Sequence, residues 1–208
     1  MRLTNKDVLV VVDIQYDFLP GGSLAVAGGD EIIEPINHLA QRFDNVVQTQ
    51  DWHPPGHISF ASIYPGLKPF EVIEVPYGPQ VLWPDHCVIG TRGAQFSALL
   101  DIPHSQTIVR KGFRETIDSY SAFRENDHTT QTGLAGYLRE RGFERLFFAG
   151  LATDFCVAWS AEDGVDAGFE CSVIEDATRA INTNGSLAAA WARMSAAGVG
   201  RIQMADIL

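Results

Sequence analysis

The sequence predicts an α/β fold, a doubly wound, mostly parallel six-stranded sheet flanked by helices in a Rossmann-like three-layer arrangement. Three observations predict it. Six short segments read as strands, and the first and fourth, 8–12 and 145–150, are apolar runs without polar alternation, as strands buried on both faces require. Segments of helical periodicity separate most of these strands, which is the order of a parallel sheet with crossover helices. The first four strands are followed by Asp13, Asp51, Lys111 and Cys156, and a parallel sheet gathers its strand ends on one edge.

Residues 8–12 form the first predicted strand, ending in Asp13. Gly21-Gly22 and Gly28-Gly29 punctuate a loop, after which Asp30 is placed to cap a helix. The helix is read from Ile32, Ile33, Ile36, Leu39, Ala40 and Phe43, and Pro35 falls in its first turns, where proline is tolerated. Residues 45–50 are the second strand, closed by Asp51. From about 52 to 105 the chain carries most of its prolines and no long periodic segment, so it reads as an excursion between strands. Residues 107–110 are the third strand, followed by Lys111-Gly112, and 114–127 is a polar surface loop. Leu134, Tyr137 and Leu138 mark a helix closed by Gly142, and 145–150 is the fourth strand. Thr153 or Asp154 is placed to cap a helix running through Val157, Ala158, Trp159 and Ala161 towards Gly168, with Cys156 in its first turn. Residues 170–174 are the fifth strand, 186–197 a strongly helical segment closed by Gly198, and 201–204 a short sixth strand. All of this is read as one domain, 1–208.

A strand order of 3-2-1-4-5-6 puts Asp13 and Cys156 on either side of the point where the order reverses, the ligand-binding crevice of open α/β sheets. Asp51 then lies one strand further out, about 4.8 Å away, and Lys111 must reach back across two strands.

A cysteine at a helix N-terminus has its thiolate stabilised by the dipole and by backbone N–H groups that also cradle an oxyanion. Cys156 therefore reads as a nucleophile, and Cys87 and Cys171 as small core residues. Asp51-Trp52-His53, His57 and Trp83-Pro84-Asp85-His86 gather a carboxylate and three imidazoles around one loop, donors suited to a borderline divalent ion, Zn2+, Fe2+ or Mn2+. His38, His104 and His128 read as ordinary surface or hydrogen-bonded histidines. Phe18, Trp52, Trp83 and Tyr120 either line a pocket for a flat ring or anchor loops to the core. The glycine pairs do not run from the first strand directly into a helix, so no nucleotide cofactor is expected.

Composition narrows the partners. Fifteen Lys and Arg against 26 Asp and Glu give a net charge of −11, which repels nucleic-acid backbones and anionic membrane surfaces. No apolar run approaches the roughly 18 to 20 residues that cross a bilayer, and no export signal is visible. Three cysteines without CxxC spacing suit a reducing, cytoplasmic compartment.

Five segments together resemble the nicotinamidase (pyrazinamidase) branch of the isochorismatase-like hydrolases. They are Asp13-Ile14-Gln15-Tyr16-Asp17-Phe18, Asp51-Trp52-His53 with His57-Ile58-Ser59-Phe60, Trp83-Pro84-Asp85-His86-Cys87, Lys111-Gly112, and Gly150-Leu151-Ala152-Thr153-Asp154-Phe155-Cys156-Val157. The resemblance implies hydrolysis of a small neutral aromatic amide, nicotinamide, through a cysteine thioester in NAD salvage. The alternative is another small amide, a carbamoyl or ureido compound. It implies Cys156 as nucleophile, Asp13 as base and Lys111 as third catalytic residue. A cis peptide before Ala152 would turn the N–H groups of Ala152 and Cys156 towards the substrate carbonyl. Asp51, His53 and His86 would hold one divalent metal, most readily Zn2+, and the substrate ring would lie between Phe18 and Trp83, with Tyr120 nearby. Whether His57 ligates directly or Ser59 holds a metal-bound water stays open, as does assembly into a homo-oligomer.

Overall fold

The computed structural model describes residues 1–207. The elements are β1 (Asp7–Val12), α1 (Ile33–Ala40), β2 (Val46–Asp51), β3 (Val72–Val75), β4 (Gly78–Val81), β5 (Thr107–Lys111), α2 (Leu134–Glu140), β6 (Arg145–Leu151), α3 (Ala158–Asp166), β7 (Glu170–Arg179), α4 (Ser186–Ala197) and β8 (Gly200–Ile202). Six strands form one sheet in the order β5-β2-β1-β6-β7-β8, every neighbouring pair parallel. Counted along the sequence this is the predicted order 3-2-1-4-5-6.

Side-chain alternation along the central strands builds two cores. From β1, Leu9 and Val11 join Phe147, Ala149 and Leu151 of β6 and Ile33, Ile36 and Leu39 of α1 on one face. Val8, Val10 and Val12 point the other way, with Leu146 and Phe148, onto Leu134 and Leu138 of α2, Ala158 and Ala161 of α3, and Ala190 and Met194 of α4. Each fully buried Val, Leu, Ile, Phe or Met among these contributes about 1.5–3 kcal/mol. Right-handed crossovers explain the division of helices: steps from β1 outward to β2 run over one face, and steps through β6, β7 and β8 run over the other. At the centre, Gly150 (φ 121°) lets β6 approach β1 so closely that a Cβ there would lie 2.1 Å from the Val12 carbonyl oxygen.

Local departures from the sequence reading have identifiable causes. Asp30 does not cap α1 through its side chain; the helix starts at Ile33, whose N–H takes the Asp30 carbonyl. Thr153 and Asp154 do not cap α3 either. A π-helical turn, Thr153–Val157, precedes it, and the Asp154 carboxylate instead accepts the N–H groups of Ile181 and Asn182 at 3.1 and 2.8 Å and the Ser186 hydroxyl. The fifth sheet strand runs on to Arg179 because a register shift between Phe148 and Gly150 lets pairing resume at Thr178. The excursion contains an antiparallel hairpin, β3 with β4, turning at Pro76 and Tyr77. Among the described residues no helix is long and apolar enough to cross a membrane.

Candidate active site

Strand register assembles the first cluster. Asp51 and Lys111 are direct partners across β2 and β5, and Asp13 leaves β1 on the other side of β2. The Lys111 ammonium is fully buried, 2.8 Å from Asp13 Oδ2, ion-paired with Asp51 Oδ1 and 3.2 Å from Cys156 Sγ. One ligand atom each from Asp13, Asp51 and Cys156 lies within 4.8 Å of the others. Asp13 itself adopts φ 50°, and Thr49 Oγ1 donates to its Oδ1 at 2.6 Å. The Leu151–Ala152 peptide is cis, and the Ala152 carbonyl accepts from the N–H groups of Phe155 and Val157 as the chain winds round Cys156.

Burial and neighbouring charges divide the protons. Burial pushes the Asp13 carboxyl above its ordinary value, and Asp51 adds to this against the pull of Lys111. Burial would raise Asp51 as well, but Lys111 and His53 outweigh it and hold Asp51 well below the carboxylate range. Lys111 is disfavoured by burial, yet its two carboxylates hold it well above its ordinary value, so it stays charged. The Cys156 thiol is pushed well up by burial despite Lys111, so it rests protonated. The helix-dipole expectation of a depressed thiol is therefore not how this cysteine is poised; it needs a base, and Asp13 is beside it.

The second cluster lies next to the first. Asp51 Oδ2 faces His53 Nε2 at 3.5 Å and His86 Nε2 at 3.6 Å. Two donors bound tetrahedrally to zinc at 2.0–2.1 Å stand about 3.3 Å apart, so these three groups need to close only slightly. Each imidazole presents the correct nitrogen. His53 Nδ1 meets the Gly112 carbonyl at 2.9 Å and His86 Nδ1 meets the Pro84 carbonyl at 2.8 Å, which places N–H at Nδ1 and leaves both Nε2 lone pairs for a cation. The donor set fits a divalent metal ion. His57 is placed differently: its Nδ1 pairs with Ser59 Oγ at 2.7 Å and its Nε2 with the Ile117 carbonyl at 3.3 Å, so both nitrogens already have protein partners. Burial holds His57 down to about 4, and it lies beside His53 with ring centroids 4.3 Å apart.

Gly112 makes room for this arrangement. At φ 68° a Cβ would fall 2.3 Å from His53 Cε1. Gly112→Ala is expected to drive His53 away from Asp51 and weaken zinc binding about 10- to 100-fold, read by equilibrium dialysis. Unchanged affinity would remove His53 from the ligand set.

Beside the clusters opens a cleft walled by Phe18, Leu24, Trp83, Tyr120, Phe155 and Ile181, with Ala152, Cys156, Asp51, His53 and His86 completing its lining. Phe18 meets His86 edge-on at 5.5 Å, and Trp83 stands perpendicular to Phe155 at 4.8 Å. The Tyr120 oxygen accepts from Trp83 Nε1 and Gln80 Nε2, both at 3.1 Å. Sequence reasoning missed Leu24, Phe155, Ile181 and the buried Asp118, whose carboxylate also faces the cleft. Phe155 was within reach, since it stands beside the nucleophile candidate. The others arrive from remote loops: Asp154 brings Ile181 to the wall by binding its backbone, and Gln80 and Ser119 N hold Asp118.

The isochorismatase domain family matches residues 7–206. A nicotinamidase of Acinetobacter baylyi is 57% identical over 208 residues, covering 100% of this chain and 97% of the relative. Among solved structures, a nicotinamidase/pyrazinamidase of Acinetobacter baumanii superposes with a TM-score of 0.98 at 58% identity over 100% of both chains. L. infantum PnC1 in complex with nicotinate gives a TM-score of 0.86 at 38% identity, over 99% of this chain and 96% of that one. A pyrazinamidase of Pyrococcus horikoshii in complex with zinc gives 0.77 at 35% identity, over 95% and 99%.

Proposed function

Because the chain belongs to the isochorismatase family, we propose that it hydrolyses nicotinamide to nicotinate and ammonia, accepts pyrazinamide, and serves NAD salvage in the cytoplasm. The observation that carries this reading is the cleft itself, an aromatic slot lined by the Cys156 thiol, which the buried Lys111 ammonium contacts, and by two imidazoles whose Nδ1 atoms are paired with carbonyls and whose Nε2 atoms are left for a cation. It suits a flat, neutral ring bearing one carboxamide. A neutral substrate gains nothing from the net charge of −11, which serves solubility.

In the mechanism, Asp13 accepts the Cys156 thiol proton while Lys111 holds both groups and compensates the negative charge between them. The sulfur attacks the amide carbon, and the N–H groups of Ala152 and Cys156 receive the oxyanion; one such donor is worth about 2.7–4 kcal/mol of barrier. Protonated Asp13 gives its proton to the nitrogen, the C–N bond breaks and ammonia leaves a thioester. Asp13, ionised again, takes a proton from the attacking water, and the second tetrahedral adduct expels sulfur, which recovers that proton. Phe18, Trp83 and Tyr120 position the ring. Asp51, His53 and His86 would hold one divalent ion, Zn2+ in preference to Fe2+ or Mn2+, which would supply a Lewis-acid handle for the ring nitrogen.

Ammonia release by the zinc-loaded protein, measured side by side on nicotinamide and a linear ureido compound, tests the reading. Fast turnover of nicotinamide is expected. Negligible nicotinamide turnover beside fast turnover of the linear amide would overturn it.

A further inference from the structure

Asp17 belongs to neither cluster, yet its half-buried carboxylate binds the loop that carries His86. Its Oδ2 accepts the Cys87 N–H at 2.7 Å, and its Oδ1 accepts the Ser23 N–H at 3.3 Å. The carboxylate occupies the space a side chain would need at Gly93, where a Cβ would fall 1.9 Å from Oδ2. Asp17 is tied down through its own backbone as well: its N–H takes the Gly93 carbonyl at 3.1 Å and its carbonyl takes the Leu24 N–H at 3.0 Å.

The peptide it holds is shared by two candidate metal ligands. Cys87 directly follows His86, and its carbonyl accepts the His53 N–H at 3.1 Å, while Ile89 N–H returns to the His53 carbonyl at 2.8 Å. Cys87 is fully buried and takes φ 47°, in the left-handed region that a non-glycine residue adopts only when its surroundings impose it. With water excluded, the Asp17 oxygen is what satisfies its N–H. We propose that Asp17 is a positioning residue for the metal centre, setting the separation of His53 and His86 through the Cys87 peptide.

The proposal rests on the reading of Asp51, His53 and His86 as metal ligands, and its test separates the two. Zinc release to a chromogenic chelator is followed for the wild type and for Asp17→Ala, Asp17→Asn and Gly93→Ala. Leu138→Ala, in the core on the far face of the sheet, serves as a control for general destabilisation. Asp17→Ala is expected to release zinc about 10- to 100-fold faster than wild type. Gly93→Ala, which displaces the carboxylate without altering it, should follow in the same direction. Asp17→Asn keeps an acceptor oxygen and should fall between, and Leu138→Ala should lower the melting temperature while keeping its zinc. Zinc release from Asp17→Ala and Gly93→Ala within twofold of wild type, or matched by Leu138→Ala at equal loss of melting temperature, overturns the proposal. If Asp17→Ala does not fold, Asp17→Asn and Gly93→Ala decide it by the same criterion. A wild type that holds no zinc defeats the ligand reading instead.

Discussion

Cys156→Ala is expected to lower kcat for nicotinamide by about 10⁴-fold or more while leaving zinc content and nicotinate binding within a few-fold of wild type. The expectation follows from the placement of the thiol. Sγ lies 3.2 Å from the Lys111 ammonium, burial keeps the thiol protonated at rest, and Asp13 is close enough to relieve it of that proton. Removing sulfur therefore leaves an intact cleft with a base, a cation and metal donors but nothing to form the thioester. Stopped-flow ammonia release and calorimetric nicotinate binding provide the two readouts. Full activity in the variant would make a metal-bound water the nucleophile and reduce Cys156 to a packing residue. The intact mechanism also predicts an acid limb in kcat/KM above the ordinary carboxylate value of 3.8, because burial raises Asp13 and only its ionised form can accept the thiol proton.

Lys111→Met should cost both activity and stability. The lysine is the cation shared by Asp13 and Asp51 inside a region with no solvent contact, and methionine keeps most of its volume without its charge. Loss of one partner from a buried ion cluster costs about 3–5 kcal/mol, and loss of the group that holds Cys156 and Asp13 together should lower kcat/KM about 10²- to 10⁴-fold. The stability cost has a defined pH dependence. Without Lys111 the folded Asp13 carboxyl is raised further above its unfolded value of 3.8 and Asp51 loses one of the charges that hold it below that value, so the folded state takes up protons more readily than in the wild type. The penalty is then smallest at low pH, where both carboxyls are protonated, and grows as pH rises through the raised Asp13 value. Urea unfolding of metal-free protein at pH 4 and pH 7 measures it. An equal loss at both would show that Lys111 contributes packing rather than charge.

The central strands β1 and β6 were legible because burial on both faces leaves an apolar run, and the order followed because right-handed crossovers restrict how strands can be joined. The residues at their ends were legible for the same reason: Asp13, Asp51, Lys111 and Cys156 each follow a run, and topology brings them to one edge. What escaped depends on contacts without sequence periodicity. Gln15 grips Asp51 by donating to its carbonyl and accepting its N–H, both at 2.8 Å, across 36 residues. Asp154 looked like a helix cap because capping is the commonest use of an aspartate there, but the π-helical turn carries it to the 181–186 loop instead. The β3–β4 hairpin was hidden within a proline-rich stretch, although the β-branched run Val72 to Val75 before Pro76-Tyr77-Gly78 and Val81 after it carry strand and turn signals. His57, whose role the sequence left open, has protein partners at both nitrogens, Ser59 and the Ile117 carbonyl, contacts that no spacing announces.

The pairing of Asp51 with Lys111 across β2 and β5 has a consequence for how such a protein can change. Along a strand, a shift of one residue reverses every side chain, so Lys111 reaches the centre only in this one register. Insertions or deletions within 107–111 would turn it to the opposite face and disarm the site. Insertions within the 55 or so residues between the two strands carry no such penalty, because the pairing is re-established wherever the loop ends. The two halves of the cleft therefore obey different rules of variation. Bond cleavage is locked to the sheet, whereas Phe18, Trp83, Tyr120 and Ile181 of the wall that meets the ring come from the connections between strands and helices, where lengths can vary without disturbing strand register.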